Sequence, residues 1–333
     1  PLIFGLTRKQ LSLVVLVVQN STLVLMMRYS RIVQKPGQPM YIASTAVFLA
    51  EVLKIITCLI VMWQQQESWN HFVRLVKVEI LGKPRETLKM LIPSGLYALQ
   101  NNLLYVALSN LEAATFQVTY QMKILSTAMF SVVLLGRTLN RDKWIALVLL
   151  MIGVTLVQSQ SMSGSGKVSD ASLPLTVQSP LIGFLAVVTS CISSGFAGCY
   201  FEKVLKTSDT SMWVRNIQLG ISGAFFSLIG MLAYDIQPLW EGGMLQGYDW
   251  LTWIVVANQA LGGLLVAIVV KYADNILKGF ATSLSIIVSG IISFYLFYFK
   301  PTTPFVIGAS IVMISSYLYG VEFTKRLTPI KPH

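Results

Sequence analysis

The sequence predicts an all-α integral membrane protein of ten transmembrane helices, arranged as two inverted five-helix repeats. Three observations carry this. Hydrophobic residues make up 54% of the 333-residue chain and charged residues only 12%, well below the roughly 25% charged share of a soluble domain. The mean hydropathy is +0.67. Ten continuously apolar segments are long enough to cross a bilayer, near 10–27, 42–63, 88–109, 113–135, 143–159, 180–201, 214–234, 250–270, 276–298 and 303–320. They do not alternate with period two, so a β-barrel is excluded.

The first apolar run reads as a true span and not as a cleavable signal peptide. The chain begins at Pro1, so trimmed ends are expected. With ten spans both termini share a side, and that side collects 18 of the 25 Lys and Arg residues. The opposite side has five: Arg28, Arg31, Lys35, Lys167 and Lys300. Positive charge favours the cytosol, so both termini are expected there. The net charge of +11 is thus spread over loops, with no cluster that would indicate nucleic acid.

Residues 65–87 form a mixed-charge loop that has room for an interfacial helix. Residues 161–179 are rich in Ser, Gly and Pro and read as a flexible linker. The linker divides five spans from five, giving a first repeat over 1–160, a second over 180–322 and a cytosolic tail over 323–333. An odd number of spans per half forces opposite orientations, the topology of inverted-repeat transporters.

Several spans carry polar groups that hydrocarbon cannot satisfy. Gln100, Asn101 and Asn102 are consecutive amides in the third span, near Tyr97. Interhelical bonding explains them as well as ligand contact does. The fourth span carries Gln117, Tyr120 and Gln121 on one face, with Lys123 beside it near the bilayer midplane. No acid in that span can pair with Lys123. A polar stripe with a cation at the midplane suggests an anionic ligand, and a buried acid on another helix is the alternative. Glu51 and Lys54 are three apart on one helix and neutralise each other. Small residues around Ser194 suit close helix approach. Asn216 and Gln218 open the seventh span and could reach a cavity. Asn258 and Gln259 form an amide pair before Gly262-Gly263. In 271–289, Lys271 reads as an interfacial anchor, Asp274-Asn275 as a helix start or hinge, and Lys278 as the phosphate candidate.

Enzyme signatures are absent: there is no HExxH, GxSxG, Walker or dinucleotide motif. Cys58, Cys191 and Cys199 lie in apolar runs without zinc or disulfide spacing. No cofactor and no metal are expected.

The blocks LQNNLLYVALSN (99–110), ATFQVTYQMKIL (114–125), SSGFAGCYFEKVLK (193–206), WVRNIQL (213–219) and KYADNILKGFATSLSII (271–287) resemble the Golgi nucleotide-sugar transporters of the drug/metabolite transporter superfamily. The resemblance covers nearly the whole chain. Within the family it points to the UDP-galactose, UDP-N-acetylglucosamine and CMP-sialic acid carriers. Gly220, Ala281-Thr282-Ser283-Leu284 and Asn258–Gly263 resemble the UDP-sugar pattern, the last most like UDP-galactose carriers. Arg137-Thr-Leu and the stretch 206–211 resemble CMP-sialate carriers instead.

The resemblance implies a central cavity with Lys123 and Lys278 facing nucleotide phosphate. Asn101, Asn102 and Asn216 would contact base or ribose, and Tyr97, Phe116, Tyr120 and Ser194 would complete the wall. The implied cycle exchanges a cytosolic UDP-sugar, UDP-galactose first, for luminal UMP across the Golgi membrane. The corresponding exchange for UDP-N-acetylglucosamine or CMP-sialic acid is the alternative. Expected partners are the nucleotide sugar, UMP or CMP, and the bilayer, with a homodimer as the candidate assembly. A proton-coupled metabolite carrier on the same fold is the remoter reading, with Asp274 as its acid.

Overall fold

The computed structural model describes residues 7–32, 41–66, 68–111, 116, 119–163, 179–297 and 302–325. Among these the chain is helical, with no strand. In order come α1 (Arg8–Ile32), α2 (Ala43–Gln64), α3 (Trp69–Val76), α4 (Pro84–Lys89), α5 (Leu91–Asn110), α6 (Met122–Leu135) and α7 (Arg141–Ser163). Then follow α8 (Pro180–Thr207), α9 (Met212–Tyr234), α10 (Ile236–Gly242), α11 (Trp250–Tyr272), α12 (Asn275–Phe297) and α13 (Thr303–Lys325).

Each of the ten apolar segments read from the sequence has a helix over at least part of its described residues. Among the described residues, seven helices are long and apolar enough to cross a membrane: α1, α2, α7, α8, α9, α11 and α12. Two more, α6 and α13, are apolar over shorter stretches. Helix α5 has the length, 20 residues, but Gln100, Asn101 and Asn102 dilute its apolar character. Most of the linker, residues 164–178, and the tail from 326 lie outside the described residues.

The loop with room for an interfacial helix carries the short helix α3. Ser68 caps α3 by accepting from the Asn70 N–H, as an N-terminal serine commonly does. Phe72, Leu75, Val76 and Ile80 turn inward onto Cys58, Met62, Val214, Ile217 and Leu264. A π-helical turn over Lys77–Leu81 ends at Gly82, whose N–H bonds the Lys77 carbonyl at 2.7 Å. Pro84 then starts α4 in its first turn, a position where a missing N–H costs nothing.

The contacts gather the chain into two compact units. Unit 1 contains residues 1–98 and 200–278; unit 2 contains 99–199 and 279–333. Each draws on both halves of the sequence, so α5, α8 and α12 each contribute to both units.

Within each unit, glycines set the closest crossings. In unit 2, α7 meets α13 where Gly153 faces Gly308. A Cβ on Gly308 would lie 2.7 Å from both the Gly153 carbonyl oxygen and the Val157 nitrogen. In unit 1, α9 meets α2 at Gly220 and Gly223, against Ile55 and Glu51. There too, α11 meets α1 at Gly262, against Gln19. Small residues let helix backbones approach closely, and between lipid-solvated helices that packing is much of what holds them together. The three cysteine thiols are buried and unbridged.

Gly308→Ala should lower stability in detergent by about 1–3 kcal/mol, because the added methyl meets backbone that cannot yield. Gly230, with nothing within 4 Å of a built Cβ, is the control. There alanine should be neutral or mildly stabilising in the same unfolding measurement.

Candidate functional site

In unit 2 the helix carrying the polar stripe is interrupted by a turn at Gln121 and resumes at Met122. Lys123 therefore stands in the first turn of α6. Its Nζ lies 4.0 Å from the centroid of the Tyr120 ring. The Phe116 ring stacks on Tyr120 at 5.6 Å, nearly parallel. The Tyr120 hydroxyl accepts from Gln100 Nε2 at 3.1 Å. Both rings pack against Ala107, Ala186, Val187 and Cys191. The aromatic pair is thus anchored on apolar helices and presents one π-face to the ammonium group. Among the described residues no carboxylate pairs with Lys123. A desolvated cation over a tyrosine face gains about 2 kcal/mol, less than an ion pair would supply.

Gln121 goes elsewhere. It is 2% exposed and its amide donates to Gln158 Oε1 at 2.8 Å, an interhelical bond to α7. Gln117 lies outside the described residues. Asn101 and Asn102 are exposed on α5. Hydrocarbon offers amides nothing, so this face must meet water, protein or ligand. Ser194 is half-buried on α8. The adjacent Gly195 brings α8 against α6, with a built Cβ 2.8 Å from the Ser126 backbone. Phe116, Tyr120, Lys123, Ser194, Asn101 and Asn102 all belong to unit 2.

Unit 1 holds Tyr97, Asn216, Asn258, Gln259 and Lys278. Asn216 is fully buried. Its Nδ2 donates back to the Met212 carbonyl and its Oδ1 is buried without a partner. Asn258 accepts from Gln19 Nε2 at both its carbonyl and its Oδ1, at 3.0 and 3.3 Å, tying α11 to α1. Tyr97, Gln259 and Lys278 are half-buried. Lys54 pairs with Glu51 at 2.5 Å, as their spacing predicts.

Lys278 stands in the first turn of α12, as Lys123 does in α6. Asp274 caps that helix, its carboxylate accepting from the Leu277 N–H at 2.7 Å. Glu202, fully buried, accepts from the Asn275 N–H at 3.0 Å and from Lys206 Nζ at 2.7 Å. Lys206 also donates to the Ala273 carbonyl. The tip of α8 thereby pins the two-residue break between α11 and α12, and so fixes where Lys278 begins. The sequence showed Glu202 and Lys206 four apart, but not that a distant helix start lies between them.

Arg215 is 2% exposed. Its Nη2 reaches Glu86 at 2.5 Å and Ser208 at 2.7 Å, and its Nη1 reaches Gln218 at 2.9 Å. Gln218, fully buried, also donates to the Glu79 carbonyl. It is occupied within this network.

Residues 5–320 match a family described as nucleotide-sugar transporter. The chain belongs to the nucleotide-sugar transporter family. A UDP-N-acetylglucosamine transporter of Mus musculus is 55% identical over 325 residues, 97% of this chain and 98% of the relative. A UDP-galactose translocator of Bos taurus is 50% identical over 314 residues, 94% of this chain and 78% of the relative. A solved crystal structure with 13% identity superposes with a TM-score of 0.64, covering 96% of this chain and 99% of its own, and so shares the fold. As a member of a transporter family the protein moves a substrate and does not transform it.

Two predictions follow from the buried charges. Glu202→Ala should cost about 3 kcal/mol of stability, because a buried pair loses one partner, with Glu202→Gln costing less. A loss within about 0.5 kcal/mol, the size of an ordinary surface substitution, would remove the pin. Bonds from Lys89, then Arg215, hold the Glu86 carboxyl below its ordinary 4.5. Its stabilisation is complete above pH 4.5 and is lost as pH falls through the depressed folded value. The melting temperature should drop there, and Glu86→Gln should flatten that part of the profile.

Proposed function

We propose that this protein is a Golgi antiporter that carries a UDP-sugar from cytosol to lumen in exchange for UMP. Its membership of the nucleotide-sugar transporter family, with relatives named for two UDP-sugars, is the observation that carries the reading. Ten spans in two inverted repeats, with both termini in the cytosol, are the proposed topology, supported by the distribution of Lys and Arg. UDP-N-acetylglucosamine stands first among substrates, on 55% identity and nearly full mutual coverage. UDP-galactose stands second, supported by relatives at 50–51% and by the Asn258–Gly263 block.

Lys123 and Lys278 are the proposed phosphate-binding cations. Each sits in the first turn of a helix, where the helix dipole disfavours a cation and favours an anion. A UDP-sugar and UMP each carry about two negative charges near neutral pH, as phosphate ionisation dictates. Either can therefore be drawn to lysine cations. At Lys123 the aromatic face of Tyr120 makes up part of the missing charge in an empty carrier. The return of that carrier is then unfavourable to the extent that the compensation is incomplete. Asn101, Asn102, Phe116, Gln117 and Tyr120 are proposed for the nucleoside, with Tyr97, Ser194, Asn216, Asn258 and Gln259.

Ligand-induced thermal stabilisation of the purified protein tests the reading. UMP and both UDP-sugars should raise the melting temperature; GMP should not. Lys123→Ala should weaken UMP binding at least tenfold, about 1.4 kcal/mol. Tyr120→Phe keeps the π-face and should stay within about threefold, whereas Tyr120→Leu should approach the lysine variant. Equal UMP binding in wild type and Lys123→Ala would remove that lysine from the site.

A further inference from the structure

Near the starts of α5 and α9 and the end of α8, unit 1 holds a cavity of about 440 Å³. Lys83, Lys89, Arg215, Thr207, Ser208 and Thr210 line it, with Glu86 and Asp209. Three cations and two carboxylates line it, and a third carboxylate, Glu79, reaches Lys83 from beside it. Arg215 forms the buried part, and its Nε is buried without a partner. Lys83 and Lys89 are 45% and 50% exposed at their side chains. Each meets one carboxylate, Glu79 and Glu86, three or four residues away. Exposed pairs of this kind are held loosely, so both ammonium groups can turn to a stronger anion. The hydroxyl of Ser208 already faces the guanidinium, and Thr210 lines the same space.

We propose that this cavity binds the phosphorylated headgroup of an anionic phospholipid. Where the cavity lies favours a lipid over a soluble anion. It sits where apolar helices begin and end, which is where headgroups lie. Leu81 and Leu88, beside the two lysines in sequence, are 70% and 57% exposed. Apolar side chains exposed next to cations suit an amphiphile, which brings acyl chains with its phosphate. The size suits a ring-sized headgroup. The proposed cytosolic orientation of the termini would place the cavity at the leaflet that carries anionic lipid. The headgroup would bridge the α4 segment to the α8–α9 turn, two pieces that Arg215 already joins through Glu86 and Ser208.

Native mass spectrometry of the full chain in detergent tests this, with dioctanoyl phosphatidylinositol phosphate, dioctanoyl phosphatidylcholine and water-soluble inositol phosphate as probes. The phosphoinositide should bind at least tenfold more tightly than the phosphatidylcholine and the soluble headgroup. The double variant Lys83→Ala/Lys89→Ala, at two exposed positions, should lose at least tenfold of that binding with the rise in melting temperature on adding UMP unchanged. Leu81→Ser/Leu88→Ser should weaken the lipid and leave inositol phosphate as it was. Equal phosphoinositide binding in wild type and the lysine variant would overturn the proposal. So would soluble inositol phosphate binding as tightly as the lipid, which would make the cavity a free-anion site. Nucleotide stabilisation is read separately, so failure here is distinct from failure of the transport reading.

Discussion

Inside hydrocarbon a charged or amide group must find its partner within the protein. That constraint sorts the polar residues of this chain. Lys54 finds Glu51, Asn258 finds Gln19 and Gln121 finds Gln158. The two amide pairs join helices, and the ion pair is made within one helix. Glu202 is more elaborate: one buried carboxylate serves a lysine and a helix start together. Lys123 differs, because its neighbour is the face of a ring and not a carboxylate. A group whose compensation is partial is one that a charged ligand can complete.

The glycine crossings make those pairs reachable. Gln19 can bond Asn258 because Gly262, one turn further along α11, leaves room for the glutamine side chain. Gly263 does the same for the stem of Lys54, whose Cδ would lie 3.1 Å from a built Cβ. Gly195 brings the helix bearing Ser194 against the one bearing Lys123. Close approach and polar pairing therefore come from the same positions. This is why substitutions at small residues here should act on polar networks as well as on packing.

Much of this was legible in the sequence. Continuous apolar runs located the helices, because a bilayer imposes a length that few other environments do. Spacing found the Lys54–Glu51 pair and set Tyr120 beside Lys123, since both are local along the chain; the Phe116 ring stacked on Tyr120 was implied only by the family resemblance. Asp274 was legible as a helix start from its place between two apolar runs. The long-range partners were not. Nothing in the sequence pairs Arg215 with Glu86, 129 residues away, against which it is buried. Nor does the sequence pair Asn258 with Gln19, 239 residues away. The polarity that located α5's amides also kept that helix below the hydropathy of a typical span. Composition reports what a residue needs, and only the fold reports which residue supplies it.

The central claim is obligatory exchange, and counterflow into reconstituted vesicles tests it most directly. Vesicles preloaded with UMP should take up labelled UDP-N-acetylglucosamine or UDP-galactose many times faster than empty vesicles, and an imposed pH gradient should not replace the UMP. Equal uptake into empty and UMP-loaded vesicles would contradict the account.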